Sequence, residues 1–147
     1  MRALTYLLAT CLLASCATQP QKLATPSGRP EVYIANATPK EAIDAITAAK
    51  LQKGLAIKSV NDYAVTFATR IEGSLSGSLL FGSSYDRNPE ARFTYTVVNV
   101  PGGIRVYSKI EMVTNPGSAF ERSSDITTQM AVRMQSELEE LRAQLAR

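Results

Sequence analysis

Serine, lysine and carboxylate side chains are the residues of this sequence that could take part in catalysis. The sequence contains no histidine, which excludes both a Ser-His-Asp triad and a histidine-based zinc site. Serine adjoins lysine at Lys58-Ser59 and at Ser108-Lys109. Neighbouring residues on a strand point to opposite faces of the sheet, so neither pair is placed for serine–lysine chemistry. The simpler interpretation of these four residues is that they are solvated polar side chains.

A glycine- and serine-rich stretch at 73–78 has the composition of a loop that cradles phosphate. A P-loop needs Gly-Lys-Ser/Thr at the start of a helix, and no lysine occurs in 71–91. We interpret 71–91 as a long connection, a kind that is usually functional or mobile. Asp86 and Glu90 lie close together in it, but nothing sets their pKa values apart as an acid and a base. We therefore predict that the protein is not an enzyme and that it has no catalytic residue, metal site or cofactor.

Two predicted surfaces are candidates for binding. Strand alternation gathers a polar, basic and threonine-rich set on one face of the sheet: Thr66, Arg70, Thr94, Thr96, Arg105, Tyr107 and Lys109. Such a face suits an anionic partner such as a lipid headgroup, a glycan or an acidic protein, and it is also the pattern of an ordinary solvated face. The second surface is the apolar run Leu79, Leu80 and Phe81 inside 71–91. It indicates a contact with protein or membrane, or else it folds back onto the core.

The N-terminus has the order of a secretory signal, with basic Arg2, an apolar run at 3–13 and the small residues Ala14 and Ser15 before Cys16. The apolar run is too short to span a bilayer, which needs about 20 residues. Leu13-Ala14-Ser15-Cys16 resembles the lipobox of bacterial lipoproteins. That resemblance implies cleavage after residue 15 and lipidation of Cys16, which holds the protein on the membrane. Ala17, where the inner-membrane retention signal has Asp, favours the outer membrane facing the periplasm in an organism with two membranes.

The rest of the chain divides into a tether and one domain. Residues 16–30 hold the lipidated cysteine and a flexible tether with Pro20, Pro26 and Pro30, and 31–147 fit one domain of ordinary size. The net charge is +3 for the whole sequence and falls to near +2 without Arg2. Because the charge is mild and no block of basic residues occurs, we expect no binding to nucleic acid.

Periodicity predicts the order β-α-β-β-β-β-α. Thr38-Pro39-Lys40-Glu41 has the pattern of a capped helix start, and alternating apolar residues predict strands at 31–37, 55–60, 63–70, 92–100 and 104–112. Ser123-Ser124-Asp125 predicts the start of a last helix, whose apolar stripe is Ile126, Met130, Met134, Leu138, Leu141 and Leu145. We expect an α+β two-layer sandwich, with an antiparallel sheet of about five strands and two helices on one face.

These observations predict a membrane-anchored envelope lipoprotein that acts as a non-catalytic binding or assembly module. Its expected partners are the membrane, through the lipid on Cys16, and another envelope component, in the first place a protein. The alternative is a carrier or sensor of a small apolar ligand on the periplasmic side. That function needs a cavity between helices and sheet, lined by Phe67, Phe93, Tyr95 and Met130.

Overall fold

The computed structural model describes residues 23–71 and 89–146 and confirms the α+β architecture. Six strands and two helices are described. They follow one another as β1 (Glu31–Ala35), α1 (Pro39–Gln52), β2 (Ala56–Asn61), β3 (Ala64–Arg70), β4 (Glu90–Val100), β5 (Gly103–Thr114), β6 (Arg122–Asp125) and α2 (Ala131–Leu145).

All strand pairs are antiparallel, and the five longer strands lie in the order β1-β5-β4-β3-β2, with β6 paired to β5. β4 and β5 form the long central hairpin that periodicity predicted, in a register that places Val97 opposite Val106. Its turn contains Gly102 with φ +80°, a left-handed conformation that favours glycine. The hairpin lies at the centre of the sheet: β1 and β6 pair with β5, and β3 pairs with β4.

The capping box at the start of α1 is confirmed. The Glu41 backbone N–H donates to Thr38 Oγ1 at 3.3 Å, and the Thr38 N–H donates to the Glu41 carboxylate at 2.8 Å. Pro39 occupies the first helical position, where its missing N–H costs nothing. Local sequence alone therefore sets where this helix begins.

The predicted start of the last helix is wrong. Ser123, Ser124 and Asp125 lie in the short strand β6, and α2 begins only at Ala131. β5 extends beyond its pairing with β1, and its C-terminal part pairs with β6, where Glu111 lies opposite Asp125. These three polar residues therefore belong to an edge strand. Ile126 lies in the connection between β6 and α2 and is buried, as the predicted apolar stripe requires. β4 also begins at Glu90, two residues before the predicted strand.

Both helices contribute to a single apolar core with the inward side chains of the sheet. Phe67 and Tyr95 meet edge to face in it, with ring centroids 6.3 Å apart. The core extends to Pro30, which is fully buried at the end of the predicted tether. Within 23–71 and 89–146, no helix combines the length and apolar character needed to cross a bilayer.

Candidate functional site

The polar face predicted from alternation exists on the side of the sheet opposite the core. Strand register places Thr66 beside Thr94 and Thr94 beside Lys109, and it places Thr96 beside Tyr107. Arg105 and Arg70 lie on the same face, opposite Val98 and Glu90. Tyr33, which sequence reasoning did not include, and Val98, which alternation places beside Thr94 and Thr96, add apolar surface there at 42% and 44% exposure. The shared face is thus confirmed, while its role in binding stays a prediction.

A groove of about 680 Å³ starts on this face and passes to the edge of β5. β1 pairs with β5 over residues 103–107 and β6 pairs with it over 111–114. Between these two stretches, the neighbours of β5 on this edge are the segment that leads into β1 and the segment that follows β6. The groove lies at this gap between β1 and β6. Three parts of the chain line it: Gly28, Arg29 and Pro30; Thr94, Thr96, Val98, Tyr107, Ser108 and Lys109; and Asp125, Thr127, Thr128 and Ala131.

Two hydroxyl groups at the inner end of the groove differ in their hydrogen bonding. Thr127 Oγ1 accepts from the Ile110 N–H at 3.0 Å and donates to the Ile110 carbonyl at 3.4 Å. Ser108 is only 5% exposed, and its Oγ has no hydrogen-bond partner among the described residues. The Ser108 backbone is itself fixed, because its N–H donates to the Pro30 carbonyl at 3.1 Å.

The outer rim of the groove carries both signs of charge. Hydrogen bonds from Thr127 lower the pKa of Asp125, and the nearby charges of Lys109 and Arg29 act in the same direction. Lys109 also pairs with Glu111 at 2.8 Å, and its side chain remains 48% exposed. At neutral pH the rim therefore presents two cations, Arg29 and Lys109, and two carboxylates, Asp125 and Glu111.

The structure brings only part of the predicted binding set together. Tyr107 and Lys109 line the groove, whereas Arg105 lines a neighbouring hollow of about 380 Å³ with Tyr33 and Glu31. Its guanidinium lies 3.7 Å from the buried Glu31 carboxylate. Arg70 is the last residue of β3 and lines neither cavity. Cys16 and the run Leu79, Leu80 and Phe81 lie outside the described residues, as does Asp86.

A buried charge cluster on the helix side of the sheet was missed by sequence reasoning. Lys50 Nζ lies 2.5 Å from Glu137 Oε2, with side chains 7% and 17% exposed. The Tyr95 hydroxyl donates to the same oxygen at 3.2 Å, and Lys50 Nζ lies 5.1 Å from the Tyr95 ring centroid. We call Lys50, Glu137 and Tyr95 the inner cluster. Lys50 and Glu137 are 87 positions apart in the chain, so no local pattern reveals it.

Burial and charge act against each other in the inner cluster. Burial lowers the pKa of Lys50, and the hydrogen bond to Glu137 offsets this only in part. Burial alone would raise the pKa of Glu137, but the hydrogen bond and charge of Lys50, helped by Lys53, hold it below its usual value. The pKa of Tyr95 is raised by burial and by the Glu137 charge. The cluster thus joins α1, α2 and β4 through one carboxylate.

The outer face has its own ion-pair network, centred on Arg92. Its guanidinium contacts Glu90 at 2.5 Å and Glu121 at 2.6 Å, and Lys58 reaches Glu90 at 2.8 Å. The Glu121 carboxylate also accepts from the Gly117 N–H at 2.7 Å. The hydrogen bonds from Arg92 and Gly117 lower the pKa of Glu121 to about 2. We call Lys58, Glu90, Arg92 and Glu121 the outer network.

Little space remains between the helix layer and the sheet. The cavity found there among the described residues measures about 90 Å³ and lies against Lys50, Tyr95 and Glu137. Within the same residues, no group of three or more metal-ligating side chains comes together. In comparisons with known proteins, no family model and no curated protein matches this chain.

Proposed function

We propose that this protein is a lipid-anchored envelope module that binds another component of the cell envelope without catalysis. The observation that carries the proposal is the outer sheet face, which both helices leave open and which holds the groove of about 680 Å³. The volume of the groove falls within the range of about 300–1,000 Å³ that is usual for ligand sites. The similarity of Leu13-Ala14-Ser15-Cys16 to a lipobox supports the anchor.

The packing of the two layers favours this proposal over the carrier of an apolar ligand. A carrier needs an internal cavity several times larger than the 90 Å³ found between helices and sheet. Phe67 and Tyr95, which would line it, are instead buried against each other in the core. The carrier remains the second candidate because a ligand of that kind can open a site that is closed in its absence.

Site-specific photocrosslinking tests the binding role. A benzophenone side chain at Thr96, which is exposed beside Tyr107 in the groove, is compared with the same probe at exposed Asp44 on α1. We expect irradiated cells to give a distinct adduct from position 96, with a protein or a glycan, and none from position 44. Equal labelling at both positions, or none at either, would contradict binding through the outer face.

The anchor is tested separately by Cys16→Ser with metabolic fatty-acid labelling. We expect the variant to lose the label and to leave the membrane fraction, because two acyl chains are sufficient for stable anchoring. If the variant kept its label and its membrane retention, the lipoprotein assignment would have to be abandoned. Position 96 crosslinking in the unanchored variant then shows whether the anchor matters for binding.

A further inference from the structure

The groove contains hydrogen-bonding capacity that the fold does not use. Ser108 is 5% exposed, and its hydroxyl has no partner within the described part of the chain. A buried polar group without a partner destabilises the fold relative to a satisfied one. The Thr127 hydroxyl in the same groove is already engaged with Ile110 and with the Asp125 carboxylate, so it does not compensate Ser108. Because Ser108 lines the groove, a ligand group that both donates and accepts hydrogen bonds satisfies its buried hydroxyl once the wall shifts to admit it.

The wall of the groove carries further hydroxyl groups and one aromatic ring. Thr94 and Thr96 lie side by side with Lys109 and Tyr107 in the register of β4 and β5, and Thr128 lines the other side. A hydroxyl donates one hydrogen bond and accepts up to two. Tyr107 adds a ring with an apolar body and a polar tip. Thr94 already shares a hydrogen bond with Thr66, but an apolar ligand would take water from the hydroxyl groups of Thr96, Thr128 and Tyr107 without replacing its hydrogen bonds.

The charges at the rim narrow the class of ligand. Arg29 and Lys109 lie near Asp125 and lower its pKa, and Lys109 also pairs with Glu111, so two cations and two carboxylates surround the same opening. A bare phosphate would meet the Asp125 carboxylate as well as the cations. A ligand with many hydroxyl groups can donate to Asp125 while it accepts from Lys109, Arg29 and the threonines.

We propose that this groove binds a saccharide, with Ser108 at its inner end, Tyr107 along one ring face and Asp125 accepting from sugar hydroxyls. Because the charges of Arg29, Lys109, Asp125 and Glu111 balance, the rim itself does not select an acidic sugar over a neutral one. The assignment rests on the proposed binding function and names its ligand class. A protein segment in the groove is the competing occupant.

The test uses the full-length lipidated protein in lipid nanodiscs, which avoids detergents with sugar headgroups. Calorimetric titrations use a galacturonic acid tetrasaccharide, an N-acetylglucosamine tetrasaccharide and inorganic phosphate as separate probes. We expect both tetrasaccharides to bind more tightly than phosphate. Ser108→Ala should weaken saccharide binding about three- to tenfold, which corresponds to one lost neutral hydrogen bond.

Stability measurements on the same variants separate a binding role from a structural one. Ser108→Ala removes an unpaired hydroxyl, so its melting temperature should equal or exceed that of the wild type. Ser59→Ala, on the exposed strand β2 and outside the groove, is the matched control and should bind as the wild type does. Lys109→Met should reduce binding of the acidic tetrasaccharide more than binding of the neutral one.

Three outcomes would overturn the proposal. They are the absence of binding by both tetrasaccharides, phosphate binding as tight as that of either tetrasaccharide, and unchanged saccharide binding in Ser108→Ala. If position 96 still crosslinks to a protein while both sugars fail to bind, the saccharide assignment is wrong and the envelope-binding function stands. If neither crosslinking nor titration gives a signal, both fail.

Discussion

The inner cluster and the outer network place similar ion pairs on opposite faces of the same sheet. Each has an ammonium or guanidinium group 2.5 Å from a carboxylate: Lys50 and Glu137 inside, and Arg92 and Glu90 outside. They differ in their access to water. The Lys50 side chain is 7% exposed and its Nζ lies over two aromatic rings. Arg92 and Glu90 are themselves only 15% and 13% exposed, but their network continues to Lys58 and Glu121, which are 39% and 32% exposed and in contact with water.

This difference decides what each cluster contributes to the fold. Water screens an exposed pair, so its net contribution is small. A buried pair gains a stronger attraction, but both ions lose their hydration, and the balance depends on keeping the pair complete. The inner cluster therefore specifies how α1, α2 and β4 pack together. The outer network mainly holds surface residues in place around β4. Similar distances thus have different energetic consequences.

The largest effect is expected when the inner cluster is broken on one side. Glu137→Leu leaves Lys50 buried without its carboxylate and leaves the Tyr95 hydroxyl without its acceptor. We expect a loss of about 3–5 kcal/mol in the free energy of unfolding, measured by urea denaturation at pH 7. A loss below about 1 kcal/mol would show that Lys50 finds water in the folded protein.

The double variant Lys50→Met/Glu137→Leu is the control for that measurement. It removes both charges and keeps apolar bulk in place, so it should recover most of the stability lost in Glu137→Leu. The comparison of single and double variants gives the coupling between the two side chains. If the double variant were as unstable as the single one, packing rather than the unpaired charge would be the cause.

A smaller loss is expected from the outer network. Arg92→Met removes the contacts to both Glu90 and Glu121 but retains an unbranched apolar stem on the sheet. Glu90 keeps its contact with Lys58 in this variant, and Glu121 is in contact with water, so neither carboxylate is left buried and unpaired. The change in unfolding free energy should therefore be smaller than for Glu137→Leu. Raising the salt concentration should reduce the difference from the wild type, and equal effects of the two variants would contradict the comparison.

The smallest effect is expected in the pH dependence of Glu121. Its folded pKa of about 2 lies below the ordinary value of 4.5, so its contribution to stability is complete above 4.5 and disappears as pH falls through 2. Glu121→Gln removes that contribution and should lose less stability than the wild type between pH 5 and 2, as followed by thermal unfolding. Glu140→Gln, which also removes one carboxylate, is the charge-matched control. Wild-type and Glu121→Gln curves of the same shape would argue against the pairing with Arg92.

Local patterns in the sequence predicted much of this fold. Alternation at 92–100 and 104–112 revealed the central hairpin and the outer polar face, since a half-buried strand shows its period of two directly. Thr38 and Glu41 revealed the start of α1 because a capping box is complete within four residues. The same logic failed at Ser123-Ser124-Asp125. These residue types also suit an edge strand, and the length of β5 decided between the two.

The candidate site was predictable only in part. Tyr107 and Lys109 were selected correctly as members of the open face, but the groove depends on where β1 ends and β6 begins along β5. Ser108 lies on the core side of β5 by alternation, and the sequence draws attention to it only through its neighbour Lys109. The inner cluster joins residues from distant parts of the chain. Each of these features arises from tertiary pairing, which no short window of sequence contains.

The entry of the chain into β1 has a consequence for how a ligand is found. Residues 28–30 line the groove directly, and the Pro30 carbonyl accepts from the Ser108 N–H. With Cys16 in the membrane as proposed, the segment from Cys16 to Arg29 reaches at most about 45 Å when extended. The mouth of the groove then explores a thin layer above the bilayer rather than the whole compartment. For a ligand fixed in that same layer, the anchor raises the effective concentration at the groove, so a weak affinity would suffice for sustained occupancy.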